Sequence, residues 1–187
     1  MPGGLLRCKN RFDFMKKSEK GLYKMKILVF SDSHGLSITM KAAIKEHVPG
    51  TDALIFLGDG IRDALNIFGD YPEIPSVIVS GNCDTFSPGI LPAGEYPLTR
   101  TVDIDGVKFL CMHGHTFGVK SSMQSAVSRA AEVGADVLLY GHTHRPDERI
   151  LDGVRVFNPG SIGCGQPCTY GVIQIVGKNI VFGHGRV

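Results

Sequence analysis

Five short polar motifs carry the residues of this chain best suited to bind metal ions. They are Asp32-Ser33-His34, Gly58-Asp59, Gly81-Asn82-Cys83-Asp84, His113-Gly114-His115 and Gly141-His142-Thr143-His144. Carboxylate, amide and imidazole groups form the mixed nitrogen and oxygen sites that suit divalent transition metals. Two ions about 3.5–4 Å apart can polarise a phosphoryl group and activate a bridging water as hydroxide. The motifs together therefore predict a dinuclear metal site that hydrolyses phosphate esters.

The donor types indicate different tasks within such a site. Asp32 and His34 are alternate residues leaving a strand, so both can face one ion. Asp59 has two oxygens and can bridge two ions, whereas Asn82 offers a neutral amide oxygen. The remaining nitrogen donors are His113, His142 and His144. Each motif alone is also typical of turns or solvated loops, so the prediction depends on the whole set.

The motifs follow apolar runs that predict buried strands. These runs are residues 26–31, 53–57, 77–80, 107–112 and 136–140. Helical periodicity is present in residues 36–47, 61–68 and 121–132. Turn signals at Asp105-Gly106, Asp152-Gly153 and Gly177-Lys178-Asn179 predict three hairpins. The order favours two sheets packed face to face with helices outside. The motifs would then lie at carboxyl ends of strands, where α/β proteins bind ligands.

Charge is distributed unevenly along the 187 residues, whose total is +2. Residues 1–24 carry seven Lys or Arg and two Asp or Glu, a net charge of +5, which leaves −3 for the remainder. We therefore expect a basic N-terminal extension at residues 1–24 and one domain at residues 25–187. The slightly acidic domain argues against nucleic acid as a partner. No apolar stretch approaches the roughly 20 residues that span a membrane.

The five cysteines are an odd number without regular spacing. Because the basic leader lacks the apolar core of a secretory signal, the pattern predicts reduced thiols and a cytoplasmic location. Cys164 and Cys168 are separated by three residues, wider than the usual zinc-binding pair. We expect two plain thiols there in preference to a structural zinc site.

With these motifs the chain resembles the calcineurin-like metallophosphoesterase superfamily. Its size, the Gly81-Asn82-Cys83-Asp84 motif and the Asn158-Pro159-Gly160-Ser161 segment make it most similar to the small YfcE-like phosphodiesterases. The resemblance implies a four-layer αββα sandwich of two mixed sheets, an α/β (α+β) fold. It implies one metal held by Asp32, His34, Asp59 and His144, and a second held by Asp59, Asn82, His113 and His142. Manganese is the expected metal, with nickel, iron, zinc or cobalt as alternatives.

One residue departs from the superfamily pattern. Many members have a histidine after the asparagine, and that histidine helps to protonate the leaving group or binds phosphate. This chain has Cys83 at that position. A thiol with an ordinary pKa of about 8.5 is a poor proton donor to an alkoxide. Substrates with acidic leaving groups should therefore be favoured. His115 is an alternative proton donor or a support for the ligands, and Asp84 is expected to support the site or to cap a turn.

Two functions of different classes follow from the resemblance. The first is a metal-dependent phosphodiesterase acting on a small phosphodiester or nucleotide, with Asp59, Asn82, Cys83 and His115 as catalytic candidates. The second is a protein-binding scaffold like the retromer subunit with this fold, which has little or no activity. All seven predicted ligands are intact, which favours the enzyme. The sequence leaves open whether the chain forms a homo-oligomer.

Overall fold

The computed structural model describes residues 24–84 and 96–187. Its strands are β1 (Lys24–Phe30), β2 (Ala53–Phe56), β3 (Ser76–Ile78), β4 (Thr99–Ile104), β5 (Val107–Met112), β6 (Val137–Leu139), β7 (Pro146–Leu151), β8 (Val154–Pro159), β9 (Thr169–Val176) and β10 (Asn179–Arg186). Its α-helices are α1 (Ser37–His47), α2 (Ile61–Phe68) and α3 (Gln124–Glu132), and a 3-10 turn spans His115–Phe117.

The strands form two mixed five-stranded sheets of similar design. The first has the order β10-β9-β1-β2-β3 and the second β4-β5-β6-β8-β7. Strands β1, β2 and β3 run parallel, as do β5, β6 and β8. The outer strands of each sheet are antiparallel to their neighbours. The parallel strands therefore point their carboxyl ends in a common direction within each sheet.

Three apolar clusters separate the four layers. Alternation along β1 sends Val29 into the cluster between the sheets and Phe30 towards α1 and α2. The second sheet does the same, with Phe109 facing the first sheet and Leu110 facing α3. Because both faces of the central strands are covered, their sequences are continuously apolar. The predicted αββα sandwich is confirmed.

The predicted elements are confirmed, with shifts at some of their ends. The clearest difference is α3, which begins at Gln124 although helical periodicity begins at residue 121. Gly118 adopts a φ of 64° after the 3-10 turn, and further turns follow it in the chain. The hydroxyl of Ser122 then accepts the N–H of Gln124 at 3.2 Å. A local hydroxyl-to-backbone bond of this kind delays the start of a helix.

Two sequence predictions concern the basic N-terminal extension and segments that could span a membrane. The predicted basic extension lies outside the described residues except for Lys24, which begins β1. Among residues 24–84 and 96–187, no helix combines the length and the apolar character needed to cross a membrane.

Candidate metal centre

Backbone hydrogen bonds join the motif loops at one edge of the sandwich. The N–H of Asp32 donates to the carbonyl of Gly58 at 2.9 Å, and the N–H of His34 donates to that of Asp59 at 3.1 Å. Across the sheets, Nδ1 of His113 lies 2.8 Å from the carbonyl oxygen of Leu57. Since that nitrogen is committed to a carbonyl, the ring presents Nε2 to the centre. These bonds join the loops that carry Asp32, Asp59 and His113.

Most of the predicted ligands occupy the left-handed backbone region. The values of φ are 56° at Asp32, 46° at His34, 59° at Asp59, 65° at His142 and 59° at His144. Residues other than glycine seldom adopt this conformation, which costs on the order of 1 kcal/mol or more each and concentrates at functional sites. The fold therefore holds these five side chains in place at a cost in backbone energy.

The first group of donors contains His34, His144 and Asp32. The two imidazole Nε2 atoms lie 3.3 Å apart, and Nε2 of His144 lies 3.1 Å from Oδ1 of Asp32. Nε2 of His34 is 3.7 Å from the same oxygen. The other oxygen of Asp32 accepts the hydroxyl of Ser31 at 2.5 Å and the N–H of His142 at 3.1 Å. Those bonds fix the carboxylate so that Oδ1 alone faces the histidines.

The second group contains Asp59, His113 and His142. Ligand atoms of these three residues all lie within 4.8 Å of one another. Oδ2 of Asp59 is 3.4 Å from Nε2 of His113 and 3.9 Å from Nε2 of His34. Oδ2 therefore lies near a histidine of each group, as a bridging ligand would, and Oδ1 of Asp32 likewise lies 3.9 Å from Nε2 of His113. The other oxygen of Asp59 accepts the N–H of Cys83 at 2.8 Å, which fixes the orientation of the carboxylate.

The donor atoms have the environment expected of a cation site. Oδ1 of Asp32 and Nε2 of His113 are buried without a hydrogen-bond partner in the described part of the chain. A buried polar group without a partner is costly unless an ion or water satisfies it. Two ligands of one transition metal lie about 3–4 Å apart when each bond is about 2.0–2.2 Å long. The distances of 3.1–3.7 Å in the first group and of 3.4 Å between Asp59 and His113 fall in this range, so these residues fit divalent ions.

Electrostatics couple Asp59 and His113 closely. Burial by itself opposes charge on His113, but its contact with Asp59 and the charges of Asp59 and Asp32 outweigh burial and raise the pKa of the imidazole. Burial by itself would raise the pKa of Asp59. The contact with His113 and the hydrogen bond from the N–H of Cys83 outweigh burial and lower that pKa. Burial and the positive charges of His113 and Lys120 lower the pKa of His142 to about 4. Asp59 and His142 are thus in the charge states that metal ligands need.

Asp84 supports the loop that carries Asp59. Its Oδ2 accepts the N–H of Asp59 at 2.7 Å and that of Gly81 at 2.8 Å. Its Oδ1 accepts the N–H groups of Gly60 at 2.8 Å and Ile61 at 2.9 Å, at the start of α2. A carboxylate at a helix N-terminus that accepts several N–H bonds fixes the local backbone. Of the two roles expected for Asp84, the structure assigns support of the site.

Close backbone contact explains two of the motif glycines. A Cβ atom at Gly81 would overlap the side chain of Asp59, and one at Gly141 would overlap the hydroxyl of Ser31. Both glycines permit neighbouring loops to approach the centre closely. Asn82 follows Gly81, and its buried amide oxygen lies in the turn whose next N–H binds Asp59. This places Asn82 beside the second group of donors.

The segment Asn158-Pro159-Gly160-Ser161 forms hydrogen bonds to two of the motif loops. The amide of Asn158 donates to the carbonyl of Gly141 at 3.0 Å and to the hydroxyl of Thr143 at 3.1 Å. The hydroxyl of Ser161 donates to the carbonyl of Asp32 at 2.7 Å. Sequence reasoning used this segment only as part of a resemblance. Its long-range contacts have no local sequence signal beyond the Asn-Pro-Gly turn pattern.

His115 and Cys83 flank the second group of donors. The ring of His115 lies 5.4 Å from that of His113 and 6.2 Å from that of His142, between centroids. Burial and the charge of His113 lower the pKa of His115, so its ring is neutral near pH 7. Burial and the carboxylate of Asp59 raise the pKa of Cys83 to about 11. In the metal-free protein Cys83 is therefore a protonated thiol and a weak acid.

The other histidines and cysteines have different surroundings. Nε2 of His47 lies 2.8 Å from the hydroxyl of Tyr170, and Nε2 of His184 lies 2.8 Å from the carbonyl of Asn158. Neither histidine belongs to a group of metal donors within the described residues. Cys164 is a free thiol, as is Cys168, and its sulfur lies within 4.8 Å of ring nitrogens of His34 and His144.

A cationic groove adjoins the last motif loop. It has a volume of about 580 Å³, and its lining includes Lys120, Thr143, Arg145, Asp147 and Arg149. Nε of Arg149 lies 3.1 Å from a carboxylate oxygen of Asp147, which offsets part of its charge. The excess of positive charge suits an anionic ligand next to the metal centre.

These features agree with comparisons to known proteins. Residues 25–178 match the model of the calcineurin-like phosphoesterase superfamily domain. The chain therefore belongs to the calcineurin-like phosphoesterase superfamily. It is 34% identical over 139 residues to the probable metallophosphoesterase YsnB of Bacillus subtilis, covering 74% of this chain and 75% of that protein. It is 30% identical over 170 residues to the phosphodiesterase YfcE of Escherichia coli, covering 80% and 88%. The predicted YfcE-like subfamily is confirmed.

Solved structures support the fold. A crystal structure of a phosphoesterase-like protein from Streptococcus pneumoniae superposes with a TM-score of 0.72 at 28% identity, covering 89% of this chain and 91% of that one. Vacuolar protein sorting 29 of Cryptosporidium parvum gives a TM-score of 0.64 at 18% identity, covering 88% and 100%. At that identity the second likeness concerns the fold alone. The chain is thus a metal-dependent phosphoesterase by family.

Proposed function

We propose that this protein is a phosphodiesterase whose centre holds two divalent metal ions. The observation that carries the proposal is the position of Asp59 Oδ2, which is 3.9 Å from Nε2 of His34 and 3.4 Å from Nε2 of His113. One carboxylate oxygen between two donor groups suits a pair of ions. Two such ions, when bound, would polarise the phosphoryl group and lower the pKa of a bridging water. Manganese is our first choice, with nickel, iron, zinc or cobalt as alternatives.

Each metal would take the ligands that the resemblance implies. The first would be held by Asp32, His34, Asp59 and His144, and the second by Asp59, Asn82, His113 and His142. The tight orientation of Asp32 by Ser31 and of His113 by Leu57 supports this assignment, because fixed ligand orientation raises metal affinity. The substrate would be a small phosphodiester or nucleotide, with the part beyond the scissile phosphate near Lys120 and Arg145.

The residue beside Asn82 bears on the choice of substrate. Because the pKa of Cys83 is raised to about 11, its thiol gives little assistance to a departing alkoxide. Diesters with acidic leaving groups should react fastest. His115 lies close to His113 and His142 and is the alternative proton donor. Because the pKa of His115 is lowered, we favour a role in which it helps to position the metal ligands.

The experiment uses purified protein that is stripped with a chelator and reloaded separately with Mn, Ni, Zn or Mg. Hydrolysis of an aryl phosphodiester and of an aryl phosphomonoester is then compared, and bound metal is counted in the same samples. We expect two ions per chain and faster turnover of the diester. Protein that holds two ions yet hydrolyses neither ester with any metal would rule out the enzyme and favour a scaffold function.

A further inference from the structure

The loop between β8 and β9 packs directly on the first metal motif. The N–H of Ile162 donates to the carbonyl of Ser31 at 3.0 Å, and that of Gly163 donates to the carbonyl of Asp32 at 3.1 Å. A Cβ atom at Gly163 would overlap the carbonyl of Ser33, so the two backbones are in close contact. The N–H of Cys164 donates to the hydroxyl of Ser161 at 2.7 Å. These bonds fix the position of Cys164 relative to the motif.

The thiol of Cys164 points into the first group of donors. Its sulfur and ring nitrogens of His34 and His144 all lie within 4.8 Å of one another. Oδ1 of Asp32 lies 3.1 Å from Nε2 of His144 and is buried without a hydrogen-bond partner in the described residues. Asp32 itself is fully buried. The sulfur of Cys164 and the oxygen of Asp32 therefore both lie close to the same two histidines.

Cys168 provides the contrast within the same loop. It is buried, and its thiol lies 3.5 Å from the carbonyl of Gly165. The described residues include no group of metal donors that contains Cys168. The two cysteines thus differ in their surroundings although they are only four positions apart. The contact of Cys164 with His34 and His144 is not explained by a role as a packing residue.

We propose that Cys164 is an additional ligand of the ion held by Asp32, His34 and His144. On binding, the thiol would release its proton to solvent and the thiolate would donate an electron pair to the metal. A sulfur donor favours zinc or cobalt over manganese and magnesium, because thiolate is a soft ligand. This inference rests on the proposed metal centre. It replaces an all nitrogen and oxygen ligand set with one that contains a thiolate at the first ion.

Cobalt(II) provides a direct test in the full-length protein. A thiolate ligand gives cobalt a near-ultraviolet charge-transfer band, whereas nitrogen and oxygen ligands give only its visible bands. Cys83 forms a second group with His34 and Asp59, so the comparison is made in Cys83→Ser protein. We expect the charge-transfer band in Cys83→Ser and in Cys83→Ser/Cys168→Ser. We expect it to disappear in Cys83→Ser/Cys164→Ser, while two cobalt ions remain bound.

A competition assay gives a second readout that does not use activity. The ratio of zinc affinity to manganese affinity should fall at least about tenfold on Cys164→Ser, because the soft donor is lost. An unchanged spectrum and an unchanged ratio in protein that still binds two ions would overturn this inference and leave the proposed function intact. Failure of every variant, including the parent protein, to bind cobalt would overturn both.

Discussion

Oδ1 of Asp59 accepts the N–H of Cys83 at 2.8 Å, and this bond orients the carboxylate in the centre. The sequence suggested that Asp59 could bridge through its two oxygens. In the structure Oδ2 lies between His34 and His113, so we expect this single oxygen to bridge and the turn after β3 to set its orientation. Cys83 therefore matters to the centre through its backbone as well as its side chain.

The first prediction concerns the bridging carboxylate itself. Asp59→Ala should reduce the metal content from two ions to one or none, and should lower phosphodiester turnover by on the order of 10³-fold or more. Metal analysis and kinetics on the same sample check both effects. Asp70→Ala is the matched control, since Asp70 is exposed and pairs with Lys41 at the surface. Full activity in Asp59→Ala would show that Asp59 does not bridge.

The second prediction concerns Asp84, which accepts four backbone N–H bonds around the centre. Asp84→Ala should lower metal affinity by about 10–100-fold. It should also lower the free energy of unfolding by about 2–3 kcal/mol, because part-buried donors lose a charged acceptor. Calorimetric titration and denaturant unfolding measure the two quantities. Asp103→Ala is the control, because Asp103 accepts one N–H bond in an exposed hairpin. Equal losses in both variants would contradict a specific role for Asp84.

The third prediction concerns proton donation to the leaving group. Cys83→His should raise turnover of an alkyl phosphodiester by about 10–100-fold relative to an aryl phosphodiester, because an imidazolium is a much stronger acid than a thiol with a pKa of about 11. The measurement is the ratio of kcat/KM for the two esters. Cys83→Ser is the comparison without a strong acid. An unchanged ratio in Cys83→His would indicate that another residue, such as His115, protonates the leaving group.

The fourth prediction concerns the pH dependence of metal binding. The pKa of His113 is raised above 6.5 in the metal-free fold, so its proton competes with the metal below that raised pKa. Affinity for the ion that His113 binds should therefore rise about tenfold per pH unit until His113 is neutral, and then level off. In the absence of metal the sign is opposite. The stability contributed by protonated His113 is complete below pH 6.5 and is lost as the pH rises through the raised pKa.

Titration of the protein with metal at several pH values, in two buffers of different ionisation enthalpy, measures affinity and proton release together. His142, with a pKa of about 4, is already neutral over this range and should release no proton. The matched control is His47→Gln, since His47 contacts Tyr170 away from the donor groups and should not alter the profile. A flat affinity between about pH 6 and about pH 8 would contradict the role of His113.

The sequence by itself determined the layers and the edge at which the site forms. Continuous apolar runs such as that of β1 can be buried on both faces, and Asp105-Gly106 specifies a hairpin from local backbone preference alone. The motifs follow strands, and the carboxyl ends of parallel strands share an edge. Local periodicity and turn chemistry are sufficient for these inferences because each depends on neighbours along the chain.

Only the tertiary structure decided the partners that are distant in sequence. The four N–H bonds to Asp84, the support of the Gly141 carbonyl by Asn158 and the position of Cys164 beside His144 join separate loops. None has a local period or turn signal, because packing of two sheets brings the groups together. Local preference likewise disfavours the left-handed backbone conformation of His142 and His144. Long-range packing stabilises that conformation and so completes the centre.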